Sequence, residues 1–421
     1  MKQNLSKKQH HTHWLLEGAI IVAALSTLMP ILLLGQYPTS TALYLVKFSV
    51  AQWTPYPFLD LSYKWQKEAW VHFEDTYLPK LRTKILSNED SGAVLKIPTV
   101  HVQDFSDPAN LLQHVESTFG KDWRRKPLLL KGLWDLKELK NNKTRRLSQT
   151  GLLQEELAIP YFRDARLIGA LSPNDVAPVK DIVTNITQQG APHKIGTQFL
   201  IQSYPELIQE VAPAEIVKAL FGDRFQPKHV VGAFGLPFLP ATTTVPLFVA
   251  GSTIIDDKQN FKQDDRNNRK ESLDRPFTAL HCEPIGNVAV QLEGEKQWTL
   301  VSPEHSFMIR PSASPDGRAF FVSDLTAEKD METIPKFYAT TGAGDAIWVP
   351  TWTWHRVDYR MSPPDDIDAD ANEPLEAKKH HIAIGASLFH LRPMELLGNN
   401  PLFAVLVVPN LLKELFRFKT Q

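Results

Sequence analysis

The stretch RPFTALHCEPIGNVAVQLEGEKQW, Arg275 to Trp298, decides how this chain is read. Its later half alternates, with Val288, Val290 and Leu292 at every second position, and that period of two marks a strand. On a strand, residues two apart share a face, so His281 and Glu283 point the same way and Cys282 points the other. An imidazole beside a carboxylate supplies two of the three ligands of a 2-His-1-carboxylate set, which leaves positions open on a non-heme iron.

Working outward, a third ligand is expected on a separate strand, because one extended segment cannot fill a whole octahedral face. The segment GAGDAIWVPTWTWHRV, residues 342–357, offers it. Gly342, Gly344 and Asp345 form a turn, Ala346 to Val349 rise as an apolar strand, and His355 follows Trp352 and Trp354 as the candidate distal ligand.

The residues Thr278, His281-x-Glu283, Asn287, Gln291, Gly294-x-Lys296-x-Trp298, Ser302-Pro303, Gly344-Asp345, Pro350 and Trp354-His355 together resemble the JmjC / cupin-8 family of Fe(II)- and 2-oxoglutarate-dependent oxygenases. The likeness runs more loosely from about Ile97 to about Arg392. It implies a mainly β fold, a double-stranded β-helix (cupin, jelly-roll) with flanking helices, and a dioxygenase that hydroxylates its substrate while converting 2-oxoglutarate to succinate and CO2. Carried over, His281, Glu283 and His355 would bind Fe(II). Thr278 and Lys296 are similar to the groups that hold the far carboxylate of 2-oxoglutarate, and Asn287 would lie near that cosubstrate. A cation with a hydroxyl donor beside it suits a carboxylate. The spacing suggests that a single turn returns Lys296 on the strand next to His281. The last barrel strand, IAIGASLFHL, offers Ser387 where many members place an amide. Two other readings stay open: a cupin holding a different metal, and a vestigial barrel serving as a membrane-tethered binding or scaffolding module.

The remainder of the chain sets the context. A length of 421 residues with 43% hydrophobic and 22% charged content can bury a large core. A net charge of −1 provides no field for nucleic acid, so none is expected as a partner. The single cysteine excludes an intramolecular disulfide. Residues 1–13 are basic, and the apolar run 14–36 reads as a transmembrane signal anchor with Glu17 at the headgroup edge. That orientation puts the catalytic domain in the lumen of the ER or Golgi; a cytosol-facing or bacterial membrane setting is the alternative. The sequons at Asn142 and Asn185 would then be glycosylation acceptors.

Residues 37–93 read as an aromatic, helical linker next to the membrane, 94–395 as the catalytic domain, and 396–421 as an apolar helix for packing, dimerisation or the membrane surface. Within the domain the pattern predicts a helix over Pro108 to Phe119 and a buried strand in RKPLLLKGLW. Further helices are predicted at Pro205 to Val211 and Pro213 to Phe221, and strands at His229 to Phe234 and Thr242 to Ala250. The charged segments 256–275 and 363–379 read as solvated loops that could rim the site opening. His380 and His381, being adjacent, would face opposite ways and are given no metal role. The substrate, a protein or a small molecule, is not written in these patterns.

Overall fold

A computed structural model describes residues 92–411 apart from 142–144, 165–172, 223–224, 232–242, 253–276, 310, 314–318, 324, 326–330, 361–380, 402, 405, 408 and 409. The expected anchor at 14–36, nearly all of the linker and both charged segments therefore lie outside the described residues. Among the described residues no helix is long and apolar enough to cross a membrane.

Two large sheets face each other. The first runs in the order β1 (Val94–Leu95), β14 (Lys336–Thr341), β11 (Glu295–Val301), β16 (Trp354–Arg360), β9 (Phe277–Cys282), β13 (Phe321–Ser323), β12 (Pro311–Ala313). The second runs β2 (Thr99–His101), β3 (Leu128–Lys131), β15 (Ala346–Val349), β10 (Gly286–Glu293), β17 (His381–His390), β8 (Leu247–Ser252), β6 (Lys194–Thr197), with β7 (Thr243–Thr244) pairing β17. A small hairpin, β4 (Ala158–Tyr161) with β5 (Asp175–Pro178), adjoins the edge of the second sheet, where Phe162 and Lys194 form an antiparallel bridge. From β14 to β17 the chain changes sheet at every step, as a jelly-roll does.

That alternation corrects one expectation. β9 lies in the first sheet, β10 crosses to the second, and β11 returns to the first with β16 between it and β9. Lys296 thus reaches its place after two crossings, two strands away from His281, because each turn here passes from one sheet to the other instead of closing a hairpin. A second correction concerns His229, which sits in a short helix, Pro227–Val231, rather than a strand. The β-branched pair Val230-Val231 favours a strand locally, but Pro227 opens a helical turn and Val230 is buried in the main core.

The faces of β10 show how the layers are assigned. Val288, Val290 and Leu292 pack outward against helices α1 (Pro108–Phe119), α2 (Val179–Gln189) and α3 (Ala214–Phe221), in a cluster with Val115, Ile182 and Leu220. Ala289 packs inward with Trp298, Leu300, Ile347, Val349, Val357 and Tyr359 between the two sheets. Helix α1 has the predicted bounds, since the Asp107 carboxylate accepts from the Ala109 N–H at 2.9 Å and Gly120 follows its end. A third cluster below the site joins Leu280, Cys282, Phe321, Trp352 and Trp354. Phe403 from the C-terminal run stacks on Phe321 at 4.2 Å, so the described part of that run packs on its own chain.

The turn before β15 forms as its residues require. Gly344 has φ +88°, a conformation costly for any residue with a Cβ, and a Cβ there would lie 2.8 Å from the Trp134 carbonyl. Asp345 closes the turn by accepting from Gly342 N at 2.9 Å, Gly132 N at 3.1 Å and Lys131 Nζ at 2.6 Å. Removing that carboxylate leaves two backbone donors unsatisfied, so Asp345→Ala is expected to cost about 2–3 kcal/mol in urea denaturation. An unchanged midpoint would show that water replaces the carboxylate without loss.

Candidate metal centre

His281 lies near the end of β9 and His355 near the start of β16, directly opposite each other in the ladder. Their rings are 4.1 Å apart between centroids. Glu283 follows β9 with its Oε1 3.8 Å from His281 Nε2. One ligand atom from each of His281, Glu283 and His355 lies within 4.8 Å of the others. The alternation His-Cys-Glu delivers the first two to one side and sends Cys282 into the apolar cluster, where burial and the nearby Glu283 charge push its thiol well up.

The donor set suits a divalent metal. His281 Nδ1 donates to the Ala279 carbonyl at 2.7 Å and His355 Nδ1 donates to the Thr353 carbonyl at 3.1 Å. Each ring is therefore oriented by a carbonyl two residues before it, and in the neutral ring the lone pair is on Nε2. Burial drops His355 to about 4, against the Thr353 bond that raises it, which keeps its ring neutral at physiological pH. Two neutral imidazoles and one carboxylate are what a non-heme Fe(II) takes on one face.

Backbone strain ties the ligand loops together. Trp352 has φ +68°, the only positive value for a non-glycine among the described residues, a conformation that costs about 1–2 kcal/mol. It is held because its N–H donates to the Glu283 carbonyl at 2.9 Å and its indole donates to the Leu396 carbonyl at 2.9 Å, from α4 (Pro393–Asn399). Its ring is fully buried against Phe321 and Phe403. The Glu283 segment and the His355 segment are thereby pinned to each other.

The other predicted residues line the same interior. Thr278 is opposite Val357, and its hydroxyl is hydrogen-bonded to that of Tyr359. Tyr359 is in turn opposite Lys296, whose ammonium is buried 5.5 Å from the Tyr359 and Phe248 ring centroids. Asn287 is buried on β10, and its Oδ1 has no hydrogen-bond partner among the described residues. An orphaned buried acceptor of this kind marks a place where a polar ligand would be received. Ser387 is buried opposite Ala289.

The sequence reading missed Tyr359, Phe248 and Lys194. Tyr359 was within reach, since it follows His355 and Val357 at the strand period. Phe248 and Lys194 carry no local signal.

Residues 264–384 match the family model described as a cupin-like domain. Two curated relatives align with the chain, HSPB1-associated protein 1 of Rattus norvegicus and of Mus musculus, each 25% identical over 114 residues. Each alignment covers 25% of this chain and 23% of the relative, so the match spans about a quarter of the relatives' length. With strands β9 to β16 and the His-Glu-His cluster all inside the matched segment, residues 264–384 are assigned to the cupin-8 family of cupin-like domains.

Proposed function

We propose that this protein is an Fe(II)- and 2-oxoglutarate-dependent dioxygenase that hydroxylates a protein or other membrane-proximal substrate. The observation that carries the reading is the pairing of one cluster with one cation: His281, Glu283 and His355 converge within 4.8 Å, and Lys296 lies buried on the same interior. With Fe(II) and 2-oxoglutarate bound, such a centre supplies oxidative decarboxylation coupled to oxygen insertion into a C–H bond.

In this reading the two imidazoles and Glu283 hold the metal on one face. Their carbonyl-fixed tautomers keep both Nε2 atoms available as ligands. Lys296, with the Thr278 and Tyr359 hydroxyls beside it, receives the far carboxylate of the cosubstrate. Asn287 lies near the cosubstrate, where its side-chain NH2 can donate to an oxygen of the acid. The apolar lining of Trp298, Leu300, Ile347 and Val349 excludes water. An anchor at 14–36 with the domain lumenal belongs to the same proposal, and a glycosidase-sensitive mass shift at Asn185 would support it.

The test is metal titration of the full chain under argon, then release of succinate from 2-oxoglutarate on admitting air, with no other substrate present. Uptake of one Fe(II) with slow, metal-dependent succinate release supports the enzyme. No metal uptake supports the scaffolding barrel instead.

A further inference from the structure

We propose that Lys194 is a second cation of the Lys296 pocket, and that the two ammonium groups together take the far carboxylate of a 2-oxo dicarboxylate and so select it over keto acids with neutral tails. The inference rests on the cosubstrate reading for the identity of that acid.

The placement follows from strand register. Along one row of the second sheet stand Gly196 on β6, Phe248 on β8, Gly385 on β17 and Gln291 on β10, each paired with the next. Ile195 and Val249 point outward into the helix-covered cluster, so Lys194 and Gly196 share the inner face with Phe248 and Ala250. Lys296 reaches this row from the facing sheet. A Cβ at Gly385 would lie 2.6 Å from its Nζ and 3.1 Å from Gln291 Oε1, so only glycine leaves the ammonium its place.

Lys194 enters from the far side of the same row, with Nζ 4.5 Å from the Phe162 ring centroid. A Cβ at Gly196 would touch both the Phe162 ring and the Phe248 ring, so the aromatic supports of the two lysines adjoin. Lys194 and Lys296 are 7% and 4% exposed, and neither forms an ion pair among the described residues.

Two buried cations without a carboxylate oppose folding. Burial brings Lys194 down to about 8, and burial together with the Lys194 charge brings Lys296 down to about 7. Ring faces offset a small part of that cost. An arriving carboxylate offsets the rest, since it satisfies both ammonium groups at once. A lysine kept only for structure would instead be paired or would extend to solvent.

The experiment uses the full chain loaded with Mn(II) and calorimetric titration with 2-oxoglutarate and with 2-oxopentanoate, which has the same keto-acid end and no far carboxylate. Lys194→Met is expected to weaken 2-oxoglutarate about 10- to 100-fold, the loss of one charge-assisted hydrogen bond, and to leave 2-oxopentanoate unchanged. Lys194→Arg is expected to retain most of the affinity for 2-oxoglutarate. The Met variant should also melt at higher temperature, because it removes an uncompensated buried charge.

Unchanged 2-oxoglutarate binding in Lys194→Met, or a lower melting temperature with both acids weakened alike, overturns the proposal and leaves the cosubstrate reading standing. If the wild-type chain binds neither keto acid, the cosubstrate reading fails. In that event, binding of succinate or inorganic phosphate that is lost in Lys194→Met supports the two-lysine site, and binding of neither overturns it too.

Discussion

His355→Ala is expected to lose metal almost entirely, with affinity reduced more than the about 100-fold that follows from losing only a hydrogen-bond partner of a ligand. The two remaining ligands, His281 and Glu283, lie two residues apart at the end of one strand and cannot hold a face of an octahedron by themselves. The fold should survive. His355 is a neutral buried ring touching His281 and Trp298, and deleting it leaves a modest cavity that costs about 1–3 kcal/mol. Elemental analysis after dialysis against Fe(II), with circular dichroism on the same sample, measures both effects. Full metal occupancy in a folded His355→Ala protein would remove this residue from the centre.

Lys296→Met is the second large effect, and its two parts run in opposite directions. Binding of 2-oxoglutarate should fall below detection in the Mn(II)-loaded chain, since the buried ammonium between Tyr359, Phe248 and Gly385 is gone. Stability should rise. Burial first, and the Lys194 charge second, drop this amine from 10.5 to about 7. Below pH 7 the folded protein carries the buried charge at full cost, on the order of several kcal/mol. Between pH 7 and 10.5 the unfolded chain binds more protons than the folded one, so the wild type gains stability as pH rises. The advantage of the Met variant over wild type should therefore be largest at pH 6.5 and smaller at pH 9 in urea denaturation. An advantage independent of pH, or a less stable variant, would contradict a buried ammonium at this position.

Both predictions concern residues legible without coordinates, and the reasons differ. His281 and Glu283 were found by a period of two, which local geometry enforces on any strand. The Gly344-Asp345 turn and the helix at Pro108–Phe119 were likewise visible, because a positive φ and a helix start favour particular residue types nearby. At Pro227–Val231 the local pattern points to a strand, since two β-branched residues outweigh one proline, and burial of Val230 in the main core goes with a helix instead. The route of Lys296 is not legible locally, because a turn of given length does not say which sheet it enters.

What the sequence determined by itself is the chemistry on each strand: which residues share a face, and that a His, a Glu and a second His of types suited to a metal are present. What the tertiary structure decided is adjacency. His355 stands opposite His281 across a strand pair. Lys296 lies two strands away by way of the opposite sheet, and Lys194 comes from the far edge of that second sheet into the same interior. The physical reason is that side-chain direction follows from the backbone of a single segment, whereas strand order follows from burying two apolar faces at once, a condition on the whole chain.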